Sequence, residues 1–112
     1  MTSQGTAHGR FTRAIKTRNP WAAEMALREI GKPSLLDALD YLDLLAETRP
    51  EKLEAAVVRW HGRLEIEAKS MCLAESQLAL AALASLCAGE RDAVEILRRP
   101  VKRVRPTLLR RV

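Results

Sequence analysis

The 112-residue sequence is poor in aromatic side chains, with one phenylalanine, one tyrosine and two tryptophans, and it holds only five glycines, five prolines and two cysteines. So little cysteine excludes a disulfide-stapled scaffold, and so little glycine and proline excludes a collagen-like or low-complexity chain. Long apolar runs are missing too: the longest, 78–88, has 11 residues, with Glu75 and Gln77 interrupting its upstream flank, whereas a membrane span needs roughly 20. No membrane partner is therefore expected. The stretch 1–9 is small and polar with no apolar segment behind it, so no secretory signal is expected and the expected compartment is the cytoplasm. Strand-like alternation of useful length is absent, and no 34-residue register links the helical segments into a regular solenoid.

Catalytic signatures are also lacking. Ser34, Ser70, Ser76 and Ser85 stand in capping or helical contexts, none of them in a Gly-x-Ser-x-Gly elbow. The glycines form no phosphate-cradling loop. His61 and Glu65, at i and i+4, offer two ligands on one helix face, and His8 is the only other histidine; that falls short of a closed metal site. Cys72 and Cys87 fall 15 residues apart on one predicted helix, about 22 Å at the helical rise and far beyond disulfide reach. They read as small buried hydrophobes. The chain is accordingly expected not to be an enzyme, to need no cofactor or metal, and to imply no small-molecule substrate.

What the sequence does contain is 47% hydrophobic and 29% charged residues in 12.5 kDa, the composition of one ordinary globular domain. Area scaling for this mass gives a folded surface of about 6,200 Å² against about 18,000 Å² unfolded, enough burial for a core without staples. The charge is segregated. Residues 1–23 carry four basic groups and no acid, and residues 98–112 carry seven basic groups and no acid. All 14 acids lie between Glu24 and Glu95 with eight basic residues, so the middle is −6, the ends are +11, and the total is +5. The pI near 9.8 belongs to the ends.

Apolar spacing and capping residues predict five or six helices. Phe11, Ala14 and Ile15 mark a short one over about 10–18. Asn19 and Pro20 open a second, which runs to Ile30 and stops at Gly31, its apolar side supplied by Trp21, Ala22, Met25, Leu27 and Ile30. Ser34 caps a third, with Asp37 placed to reach back and Leu35, Leu36, Leu39, Leu42 and Leu45 along one face. Pro50 opens a fourth, to about Lys69, with Glu51 and Glu54 near its positive end and Leu53, Ala56, Val57, Trp60 and Leu64 as its stripe. The fifth, about 71–88, is apolar nearly all round, which predicts a central position surrounded by other helices. A last short helix over 90–98 precedes Pro100. The expected core contains Leu39, Leu42, Val57, Trp60, Leu64, Leu78 and Leu83.

Asp37, Asp40, Asp43 and Glu47 line the other side of the third helix and read as a solvated face. The second and third helices superficially resemble a helix-turn-helix, but the would-be recognition helix carries four acids and no base, and phosphate would repel it. Nucleic acid, if bound, is expected on the basic tail: Arg98, Arg99, Lys102, Arg103, Arg105, Arg110 and Arg111. The tail contains no aromatic residue for base stacking.

The segments Ala22-Ala23-Glu24 to Leu27, Ser34-Leu35-Leu36-Asp37-Ala38-Leu39, Leu44-Leu45-Ala46-Glu47, Arg59-Trp60-His61-Gly62-Arg63 and Leu78-Ala79-Leu80-Ala81-Ala82-Leu83 resemble small all-helical proteins of unknown function encoded in actinobacteria. The resemblance spans roughly residues 11–97 and implies an all-helical fold; it brings no activity, cofactor or site residue, and the tail after Arg99 lies outside it.

The expectation is thus an all-α protein without a sheet, a compact bundle of five to six short helices in an irregular array of helical hairpins. A disordered lead-in over 1–9, a helical domain over 10–99 and a basic tail over 100–112 make up the chain. The expected function is a non-enzymatic protein-binding or adaptor domain whose partner is another protein or a second copy of itself; Trp21 and Tyr41 are candidate exposed anchors. The alternative is a nucleic-acid-binding accessory protein that contacts phosphate through its basic ends.

Overall fold

The computed structural model describes residues 6–102, and among them there are six α-helices and no strand. They are α1 (Ala7–Lys16), α2 (Pro20–Ile30), α3 (Leu35–Thr48), α4 (Leu53–Glu67), α5 (Leu73–Cys87) and α6 (Ala93–Lys102), with a 3-10 turn over Pro50–Lys52 leading into α4. Local chemistry fixes most of these ends. The Asn19 side chain accepts from the Ala22 amide at 3.1 Å and Ser34 Oγ from the Asp37 amide at 3.0 Å, each satisfying a donor that the first helical turn leaves orphaned. Gly31, at φ 82° and ψ −63°, closes α2 in a tight positive-φ turn, with the Lys32 N–H donating to the Ile30 carbonyl at 3.0 Å, a conformation that a side chain would strain.

Packing is organised by α3, against which α1, α2, α4 and α6 all lie. One of its faces, Leu35, Leu39, Leu42 and Leu45, enters the main core with Leu53, Trp60, Leu64, Leu83, Leu86 and Leu97. The Trp60 indole N–H donates to the Leu35 carbonyl at 2.9 Å, so its one polar atom is satisfied inside the core. A second face presents Leu44, fully buried, to a smaller core of Phe11, Ala14, Ala23 and Ala26. Tyr41 packs against both. The overall extents, 45 × 41 × 19 Å, are those of a slab; a helix with its side chains is about 10–12 Å across, so the molecule is at most two helices thick.

That thinness overturns several sequence expectations. The centre belongs to α3, not α5. Leu78, expected in the core, is exposed, because α5 buries only Ala79, Ala82, Leu83 and Leu86 against α4 and α6 and, among the described residues, no helix covers its other side. Trp21 and Met25 likewise point outward; α2 buries Ala23 and Ala26 instead, whose small side chains let α1 approach closely. Helix α1 begins at Ala7, inside the expected lead-in, because the Thr6 hydroxyl caps it by accepting from the Gly9 amide at 2.9 Å. Helix α6 continues through Pro100 to Lys102. Val101 follows Leu97 by one turn and Val94 by two, so continuing the helix buries it.

Candidate interaction surface

The acidic row of α3 is not a solvated face. His8 Nε2 lies 3.0 Å from an Asp37 oxygen, and an Arg98 nitrogen lies 2.9 Å from Asp40. Arg91 donates to Asp43 at 3.1 Å, and Arg18 donates to Glu47 at 2.8 Å and sits 3.7 Å from Asp43. Asp37 therefore turns to His8, where the sequence had it reaching back toward Ser34. These side chains are partly exposed, so each pair contributes at most about 1 kcal/mol. Their collective effect is geometric: the His8 imidazole from α1 and three guanidinium groups from the α1–α2 turn, the α5–α6 turn and α6 are registered along one helix. The Asp43 carboxylate raises the Arg91 guanidinium above its usual value. For Arg98 burial pulls the other way, and the hydrogen bond and charge of Asp40, with Glu95, outweigh it to leave a net rise.

Arg98, a candidate nucleic-acid contact, is therefore committed to the chain's own carboxylates. Arg99 and Lys102 are exposed at the end of α6, and Arg103, Arg105, Arg110 and Arg111 lie outside the described residues. His61 pairs with Glu65 at 3.2 Å, and no group of three or more potential metal ligands exists among the described residues. Both cysteines are free and exposed, against the expectation of burial: Cys72 precedes α5 and Cys87 ends it, on the uncovered side of the slab. Partial burial, with Glu54 adding to it, pushes the Cys87 thiol up. Of the candidate anchors, Trp21 is 63% exposed, with the Arg49 guanidinium 5.1 Å from its ring centre; Tyr41 is half-buried.

The feature that sequence reading missed is the outer face of α5. Its N-terminus is fixed by Glu75, which accepts from the Cys72 amide at 3.1 Å, and its C-terminus by Gly89 at φ 102°. Between them Leu73 is 75% exposed, Leu78 55% and Leu80 53%. Ala74, Ala81 and Ala84 fill the spaces between these leucines, also exposed. Apart from Glu75, at the edge of this face, the helix contains no carboxylate, lysine or arginine. The Ser76 hydroxyl meets Glu65 at 2.6 Å and Cys87 senses Glu54, so the α4 strip 54, 58, 61, 65 borders the face and adds the exposed Val58. On the other flank, an open groove of about 530 Å³ runs between Leu78 and Ile96, with Arg99 and Lys102 at its end. All-round apolarity signals burial in sequence; here it signals a helix with one partner side still open.

A second open groove, about 520 Å³, lies between α2, α3 and α4 over Leu42, Ala56 and Trp60, rimmed by Lys32, Arg59 and Tyr41. Burial, then the Glu24 carboxylate, raises the Tyr41 hydroxyl above its usual value, while Arg49, Arg28 and Arg59 oppose the rise.

Comparison with known protein families, curated proteins and solved structures finds no match to this chain, so function is read from these residues alone.

Proposed function

We propose that this chain is a non-enzymatic protein-binding or adaptor domain that holds a helix of its partner against the outer face of α5. The observation that carries the reading is the uncharged, leucine-bearing face from Leu73 to Ala84. Contiguous exposed apolar surface raises the free energy of a soluble domain and marks places where another surface removes it from water. A helix is the complementary shape, because two helices pack along their lengths at 8–10 Å when small residues alternate with large ones. We place this activity in the cytoplasm, in keeping with two exposed, unbridged cysteines, and no helix among the described residues is long and apolar enough to cross a membrane.

A photoreactive amino acid at position 80, in the cell of origin, should give discrete protein adducts, and one at the exposed Arg13 of α1 should give none. Absence of adducts from positions 73 and 80 in a folded protein overturns the reading. The second reading, nucleic-acid contact, rests on Arg99 and Lys102, which are exposed and make no ion pair within the described residues. It predicts binding whose log affinity falls with log salt at about −0.9 per phosphate neutralised on duplex DNA.

A further inference from the structure

We infer that the occupant of the α5 face is a second copy of this chain, with its α5 antiparallel to the first. The inference rests on the reading above and names its partner. Its first support is the distribution of charge around the face. Beside the start of α5 stand Lys69 and, because α6 returns alongside it, Arg99 and Lys102. Beside its end stand Glu54, Glu90 and Asp92. None of these six makes an ion pair within the described residues. The opposing charges nearby are already engaged: Glu75, which lines the same groove as Arg99 and Lys102, accepts from the Cys72 amide, Glu65 meets Ser76 and His61, Glu67 meets Arg63, and Arg91 meets Asp43 and Glu47. One end of the face is thus basic and the other acidic. Parallel copies would set like against like, whereas antiparallel copies set opposite charges together at both ends.

Spacing is the second support. Leu73, Gln77, Leu80, Ala84 and Cys87 recur at alternating steps of four and three, the heptad rhythm of helices that pack along their length. None of the five carries a charge that a second copy would have to bury. Leu80 is the middle residue of α5, so a two-fold axis near it makes every contact reciprocal, and the assembly closes as a dimer instead of growing as a filament. With the helices overlapped end to end, Cys72 of each copy approaches Cys87 of the other.

The full chain is tested by sedimentation equilibrium over a wide concentration range, where a mass of twice 12.5 kDa is expected. Leu80→Glu, which sets two carboxylates near the axis, should weaken dimerisation roughly thirtyfold or more while leaving the helical spectrum intact. Lys102→Glu and Glu90→Lys should each weaken the dimer, and their combination in one chain should restore it. A short bismaleimide reads the direction: Cys72→Ser mixed with Cys87→Ser should cross-link, and Cys87→Ser alone should not. A chain that stays monomeric, or a Cys87→Ser protein that cross-links to itself, overturns the inference. A monomer whose position 80 photo-crosslinks to a different protein overturns self-pairing but leaves the protein-binding reading standing; a monomer giving no adduct overturns both.

Discussion

The α1–α2 and α5–α6 hairpins flank α3, and in each the first helix ends in the same left-handed turn. Arg18 donates to the Ile15 carbonyl and Asn19 to Ala14 in one; Gly89 donates to Leu86 and Glu90 to Ser85 in the other. Both hairpins also send cations to the acidic row. They differ in what they bury. The second hairpin places Leu83, Leu86, Val94, Leu97 and Val101 in the main core, while the first brings Phe11 and the three alanines Ala14, Ala23 and Ala26 to Leu44. The same architectural unit is structural on one side of α3 and an attachment on the other, and side-chain volume, not helix count or ion pairing, makes the difference.

The largest contrast is expected from Leu83→Asp, which buries an unpaired carboxylate at a fully buried site and should abolish the cooperative thermal transition. A native-like melt would show that the main core does not hold the domain together. Phe11→Ala should cost about 3–5 kcal/mol locally; hydrogen exchange should speed up in α1 and α2 while α4 to α6 keep their protection. Uniform acceleration over the whole chain would make the two sides one cooperative unit.

The two left-handed turns differ in residue type, arginine at Arg18 and glycine at Gly89. Arg18 holds φ 56° without being glycine, a conformation that costs an ordinary residue about 1–2 kcal/mol, and its side chain reaches Glu47. Arg18→Gly should be more stable than Arg18→Ala by about 1 kcal/mol, since both lose the ion pair and only glycine relieves the backbone. Equal chemical-denaturation midpoints would contradict this. The smallest effect concerns Tyr41, the only tyrosine, which lies where the two cores meet. Its folded-state pKa is raised above 10.0, mainly by burial. Stability from this group is thus complete below pH 10 and falls as the unfolded chain ionises first. Ultraviolet titration should place the native midpoint above that of the unfolded chain, and Tyr41→Phe should flatten the alkaline slope.

What was legible in the sequence was local. Asn19, Ser34 and Gly31 act within one helical turn of themselves, so their identities alone set the ends of α2 and α3. The Leu35-Leu39-Leu42 stripe was legible for the same reason. Leu44 was not, because it needs Phe11 and Ala23 to define a second buried face on the same helix. Asp43 and its neighbours looked solvated because their partners, Arg18 and Arg91, are distant in the chain. The α5 surface was invisible because the run from Leu78 reads identically whether it is enclosed or merely flanked; only the 19 Å thickness of the molecule decides between them.

The registration of Arg91 on Asp43 has a kinetic consequence. The two residues are 48 positions apart, whereas α1 with α2 and α5 with α6 meet across short turns. Closing the longer loop costs conformational entropy that scales with the logarithm of its length and is repaid only once α6 reaches α3. The hairpins are therefore expected to form early and α6 docking late, with Leu97→Ala accelerating unfolding more than it slows folding. The late burial of Leu97 and Val101 then sets how long the native state lasts, and the acidic row fixes the register in which α6 docks.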